Sequence, residues 1–117
     1  MRLAHLGLTV ADQERSRRFY ETHFGFGARP AARYPDGTLI IRDADGFDLA
    51  LHPGSSARTD DFLHFGFGCA DAEEVRAMRA HLLSAGVPLV EEEDTEGYVA
   101  FKALDPDGYR VEVYWEP

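Results

Sequence analysis

The chain repeats itself, and that repeat limits what it can fold into more than any other feature. Leu3-Ala4-His5-Leu6-Gly7-Leu8 matches Phe62-Leu63-His64-Phe65-Gly66-Phe67, 59 positions further on. Ala11-Asp12 falls over Ala70-Asp71, and Gly27 over Gly86, at the same offset. A second register, offset by 62, sets Asp43-Ala44-Asp45-Gly46-Phe47 over Asp105-Pro106-Asp107-Gly108-Tyr109. It also sets Leu49-Ala50-Leu51 over Val111-Glu112-Val113. The drift between the two registers is what one difference in loop length gives. Two copies of one unit of roughly 55 residues are implied, too few for a solenoid, whose repeats stack in series. The expected organisation is one domain, 1–117: module 1 over 1–53, a linker over 53–61 and module 2 over 62–117.

Both copies carry the same local signals. Residues 2–10 and 62–69 alternate around apolar positions and predict strands. Asp12 and Asp71 are helix N-cap candidates, and Glu74 completes a capping-box pattern with Asp71. Helices are predicted over 13–24, with Phe19, Tyr20, His23 and Phe24 to one side, and over 72–85, with Gly86 as its stop. Three strands then follow in each half: 28–34, 38–42 and 47–52 in the first, and 87–93, 97–103 and 109–115 in the second. Each half reads βαβββ, so the fold class is α+β, a mostly antiparallel sheet with one helix over it.

The repeat makes His5 and His64 equivalent, each in a first strand and each followed by an apolar residue and Gly. Glu112 sits mid-strand among Arg110 and Tyr114, opposite an apolar face of Val111, Val113 and Trp115. A lone strand histidine is usually structural, and a polar strand face usually meets solvent. Two repeat-related imidazoles plus one carboxylate instead suit a divalent first-row metal with open positions for substrate. The spacing matches no short metal motif.

Composition narrows the function classes. A hydrophobic share of 44% with 28% charged residues is ordinary for a globular chain. The net charge of −9 opposes nucleic acid and anionic membrane surfaces, which need clustered Lys and Arg. Cys69 is the single cysteine, which excludes an internal disulfide and a cysteine metal cluster. No apolar run approaches the roughly 20 residues of a membrane span, and the first residues lack a signal-peptide core. A cytoplasmic location is the expectation.

The opening His5-Leu-Gly-Leu-Thr-Val-Ala-Asp12, through Arg17-Arg18-Phe19-Tyr20 to Phe24-Gly25-Phe26, resembles the vicinal oxygen chelate superfamily. So does the closing Leu104-Asp105-Pro106-Asp107-Gly108-Tyr109-Arg110-Val111-Glu112. That superfamily holds glyoxalases, extradiol dioxygenases, fosfomycin-inactivating transferases, epimerases and bleomycin-resistance proteins. The resemblance covers the whole chain and implies paired βαβββ modules whose mixed sheet forms a cup around a metal.

Carried over by position, the resemblance implies metal ligands at His5, His64 and Glu112, with Ala50 in place of a fourth. Four-ligand glyoxalases have a carboxylate there; a three-ligand His-His-Glu set resembles extradiol dioxygenases and fosfomycin transferases. It leaves room for a chelated oxygenated substrate, in dioxygenase-, lyase- or isomerase-type chemistry. Fe2+, Mn2+, Ni2+ and Zn2+ are all compatible. Asp48 and His52 flank Ala50 on its face, as a substitute ligand or a pocket wall. Glu112 and Lys102 are the expected catalytic residues. Lys102, Arg110, Tyr114 and His52 are the expected substrate contacts, with Tyr98 and Trp115 behind them. Lys102 reads equally as a plain exposed strand lysine, because loop length decides its facing. His23 and His81 fall in helices and read as structural or exposed.

Particular subfamilies fit less well. Gly7 stands where fosfomycin transferases have threonine, and the acidic run Glu91–Glu96 opposes an anionic phosphonate. Aromatic-ring dioxygenases usually have two such domains and an extra catalytic histidine. Single module pairs in this superfamily usually form homodimers, sometimes sharing a metal site between chains. The alternative function is a metal-free, bleomycin-resistance-like protein that sequesters a cationic drug or metabolite, with Trp115, Tyr114, Phe65 and Phe67 as walls. A third is a degenerate domain that only dimerises.

Overall fold

The computed structural model describes residues 1–55 and 62–117, so most of the expected linker lies outside the described residues. Module 1 contains β1 (His5–Val10), α1 (Gln13–Phe24), β2 (Arg29–Arg33), β3 (Leu39–Arg42) and β4 (Asp48–Pro53). Module 2 contains β5 (His64–Gly68), α2 (Ala72–Ser84), β6 (Leu89–Asp94), β7 (Val99–Leu104) and β8 (Arg110–Trp115). The βαβββ reading holds in both; every strand starts one to three residues later than predicted, and β4, β6 and β7 each run one residue further. The chain divides into compact units at Met1–Arg58 and Thr59–Pro117.

Each unit has its own four-stranded mixed sheet, ordered β1-β4-β3-β2 and β5-β8-β7-β6. The first and last strands of a module pair in parallel, and the other pairings are antiparallel. A parallel pair cannot be closed by a tight turn, so the helix and two strands form the crossover between its members.

The helix boundaries follow from capping chemistry. Asp12 accepts from the Arg15 amide at 3.0 Å, and Gly25 ends α1 in the left-handed region at φ 75°. Asp71 accepts from the Glu74 amide at 2.8 Å, while the Glu74 carboxylate reaches back to the Ala70 amide at 2.7 Å. The capping-box expectation is therefore met, displaced by one residue on the return bond.

One face of each sheet is the core. In module 1, Val10, Leu39, Ile41, Leu49 and Leu51 pack with Tyr20 and Phe26. In module 2, Val99, Phe101, Ala103, Val111 and Val113 pack beneath Val75 and Leu82 of α2. Strand alternation then forces His5, Gly7 and Thr9, and likewise His64, Gly66 and Gly68, onto the opposite face. Phe65 and Phe67 sit with the core side of β5, and their rings meet edge to face. They therefore do not wall the Glu112 face, and by the same alternation neither does Trp115.

The turns that enter the last strands explain the second sequence register. Asp43 Oδ1 accepts from the Asp45 and Phe47 amides at 3.0 and 2.7 Å. Asp105 Oδ1 accepts from the Asp107 and Tyr109 amides, both at 2.9 Å. Gly46 and Gly108 take φ of 85° and 88° within these turns, where a side chain would be strained. Asp105 is buried, so Asp105→Ala leaves amides in the turn without their acceptor. It is expected to destabilise the protein by about 1–3 kcal/mol, read from the urea unfolding midpoint.

Candidate functional site

The exposed-side row of module 2 is set by strand register. Glu112 lies directly across from Gly66 on β5 and from Lys102 on β7, and Lys102 lies across from Glu91 on β6. His64, two positions before Gly66, shares their face. Gly66 is what lets the pieces meet. A Cβ there would sit 3.2 Å from Glu112 Cβ and 3.4 Å from Oε2, so the carboxylate leans over bare backbone. It ends 3.3 Å from His64 Nε2.

The imidazole is fixed from behind. His64 Nδ1 lies 2.7 Å from the Phe62 carbonyl, which only accepts, so Nδ1 carries a proton. In the neutral ring, Nε2 is then a lone pair facing a carboxylate oxygen. Two acceptors at that separation repel unless a positive group, a proton or a metal cation, lies between them. This donor set fits a divalent first-row metal: an imidazole whose second nitrogen is anchored, beside a carboxylate that is itself hydrogen-bonded.

That second bond comes from Tyr98, whose hydroxyl donates to Glu112 Oε1 at 3.0 Å. Burial pushes the Tyr98 phenol up to about 12, helped by this bond and by the charges of Glu112, Glu93 and Glu116. It is therefore a proton-bearing donor across the ordinary pH range. Sequence spacing does not single out Tyr98, because the hairpin that turns it back over Glu112 cannot be seen in spacing.

Lys102 is not the free cation that a substrate anion would need. Its side chain is 13% exposed and its ammonium lies 2.6 Å from Glu91 Oε2. The Glu91 carboxyl is held below the usual range, first by this bond and then by the charges of Lys102, Arg110 and His64. Glu91, Glu93, Tyr98, Ala100, Lys102 and Glu112 line a concavity of about 260 Å³. Arg110 sits across from His64, and the Tyr114 side chain covers Gly68, its hydroxyl 3.4 Å from where a Cβ would stand. The rest of the acidic run divides: Glu92 pairs with Arg79, and Asp94 with Arg76 at 2.7 Å, both toward α2.

Module 1 carries the remaining candidates. His5 is exposed on β1, Ala50 is buried, and Asp48 accepts from Arg42 Nε at 3.0 Å. His52 Nδ1 lies 2.9 Å from Thr38 Oγ1. The structure thus brings His64 and Glu112 together within module 2, with Tyr98 behind them. Among the described residues, no group of three or more His, Cys, Asp or Glu is gathered as a metal centre.

The sequence family described as the glyoxalase/bleomycin resistance protein/dioxygenase superfamily matches residues 2–113. The chain belongs to that superfamily. It is 30% identical to a trivalent organoarsenical cleaving enzyme of Bacillus sp. (strain MD1), over 98% of this chain and 73% of that protein. A solved structure of a possible glyoxalase from Bacillus cereus is 29% identical, covers 97% of both chains and superposes with a TM-score of 0.79. The fosfomycin resistance protein FosX of Listeria monocytogenes, solved with Mn(II) and sulfate, is 18% identical with a TM-score of 0.78. It covers 99% of this chain and 93% of its own, and shares the fold.

For this superfamily member the phenol gives a direct check. Tyr98 is expected to ionise near 12, seen as the phenolate absorbance lost in Tyr98→Phe. Glu112→Gln lowers that value only in part, because burial is the largest cause. Between about 10, the ordinary phenol value, and about 12 the folded protein keeps a proton that the unfolded chain has released. Stability therefore falls as pH rises through that window. An ordinary titration for Tyr98 would show that the phenol is neither buried nor bonded to Glu112 in this way.

Proposed function

We propose that the protein is a divalent-metal-dependent enzyme acting on a small oxygenated molecule, with His5, His64 and Glu112 as the metal-holding residues. The observation that carries this reading is the His64 Nε2–Glu112 Oε2 approach at 3.3 Å, with Nδ1 already committed to a carbonyl. A metal bound there would supply Lewis acidity toward two substrate oxygens. The chain's own residues do the rest. Glu112 is oriented by Tyr98, whose phenol is a proton-bearing group beside the carboxylate. Lys102, neutralised by Glu91, shapes the wall of the concavity. Glu93 adds negative charge, so a neutral or cationic oxygenated molecule fits better than a phosphonate.

Organoarsenical cleavage, the activity named for the relative from Bacillus sp. (strain MD1), does not fit this chain's thiol. Trivalent arsenic is a soft acceptor that seeks thiolates. Cys69 is the chain's single cysteine, and burial, with Glu74 and Asp71 nearby, pushes its thiol up to about 11. Dioxygenase-, lyase- and isomerase-type chemistry on carbon–oxygen substrates remain the reactions consistent with this site. The cytoplasm and a homodimer belong to the same proposal. No described helix is long and apolar enough to cross a membrane.

Metal analysis of protein expressed in metal-replete medium and purified without chelator tests the reading. One equivalent per chain is expected, falling at least about tenfold in His64→Ala and in Glu112→Ala. Wild-type protein that holds no metal, yet binds a cationic aromatic ligand, would move the conclusion to sequestration. If metal is present, oxygen uptake with catechols against thiol-adduct turnover separates the reaction classes. Mixing His5→Ala with Glu112→Ala chains restores bound metal if subunits share the site.

A further inference from the structure

The turns that enter β4 and β8 are built alike, but only one of them is overhung by arginine. In module 2, nothing lies within 4 Å of where a Cβ on Gly108 would stand. In module 1, the same point on Gly46 is 3.3 Å from Arg2 Nη2 and 3.8 Å from Arg29 Nη1. Both turns close through the same aspartate-to-amide bonds, from Asp43 and from Asp105, so the turn itself does not need the arginines.

Each guanidinium is anchored by one end. Arg2 Nη1 donates to the Asp45 carbonyl at 3.2 Å, and Arg29 Nη2 donates to the Ala44 carbonyl at 3.0 Å. The other terminal nitrogen of each is left beside the space that Gly46 keeps open. The two side chains come from different places, the segment ahead of β1 and the start of β2. Their anchors are neutral carbonyls, and neither arginine has a carboxylate partner among the described ion pairs. The carboxylates close by are engaged: Asp43 Oδ1 accepts the turn amides, and Asp48 pairs with Arg42. Two like charges brought over one glycine repel each other, and an anion placed between them reverses the sign of that interaction.

We infer that Arg2, Arg29 and the open space over Gly46 form a binding site for the phosphate group of a small molecule. Two positive charges match a phosphate group of about −2 better than the single charge of a carboxylate. Guanidinium N–H groups are also well suited to phosphate oxygens. The site lies wholly within the unit Met1–Arg58 and does not rest on the metal-enzyme reading. Strand register runs Arg29, Arg42, Asp48 and His5 in one row across module 1, so the site stands at the β2 end of that row.

Inorganic phosphate is the probe, titrated at constant ionic strength so that screening is held fixed. The readout is the NMR shift of backbone amides and arginine Nε–H groups, and the amide spectrum also shows that each variant is folded. Saturable shifts are expected at Arg2, Arg29 and Gly46 and not at Arg18, an exposed arginine of α1. Phosphate also raises Tm of the wild type. Arg2→Gln and Arg29→Gln each weaken binding about three- to tenfold, and the double variant loses saturation. Gly46→Asn keeps both charges and tolerates the left-handed backbone, but it fills the space and weakens binding too. Acetate binds more weakly than phosphate. The inference is overturned if no shift saturates, if Arg18 responds in parallel, or if both single arginine variants bind phosphate as the wild type does. Acetate binding as tight as phosphate would overturn the ligand class.

Discussion

The parallel pairing of first and last strands is the constraint on which the rest depends. β5 and β8 are neighbours in space and far apart in the chain, and only their alignment sets His64 beside Glu112. That alignment is held from two directions. The core face of β8, with Val111 and Val113 fully buried, admits no one-residue slip, since a slip would turn both valines toward the polar face. The Asp105 turn fixes where β8 begins relative to β7, which sets Lys102 across from Glu112. Glu112 is thus held in place by packing beneath it and by a turn upstream of it.

How much of this is legible in the sequence depends on the range of the interaction. Helix ends were readable because Asp12, Gly25 and Asp71 act on amides within a few residues. The second repeat was readable because Asp43 and Asp105 must supply the same acceptor to the same pair of downstream amides. His64 and Glu112, which the structure brings to 3.3 Å of one another, were readable as candidates from the repeat and from strand alternation. Their neighbours were not. Tyr98 reaches Glu112 across a hairpin, Lys102 finds Glu91 on the next strand, and Thr38 meets His52 between β3 and β4. None of these leaves a mark in spacing, because each is decided by strand register and side-chain lean. The role of Gly66 had a trace, its recurrence as Gly7, but a recurring glycine does not say what leans over it.

The modules also show what duplication holds fixed. Core positions, caps and the Asp-Gly turns recur, because each solves the same backbone or burial problem in both halves. The outer sheet face is free of those demands, and there the copies diverge: Glu112 against Ala50, Tyr114 against His52. Glycine at positions 7 and 66 is retained on that face, and steric space explains it. At both positions an added Cβ would press against a polar side chain, His52 in one module and Glu112 in the other.

Charge distribution carries the argument beyond the net value of −9. The run Glu91–Asp94 alternates between faces as a strand must, and each face has its own answer. Glu92 and Asp94 are taken by Arg79 and Arg76 of α2, so they join the helix to the sheet rather than set the field near Glu112. Glu91 is taken by Lys102, which cancels the one lysine close to the site. Glu93 and Glu112 remain as carboxylates without a Lys or Arg partner among the described ion pairs. A site arranged this way repels an anion unless a cation comes first. The same arrangement that disfavours an anionic substrate therefore favours a metal ion, and the two properties of the pocket have one electrostatic cause.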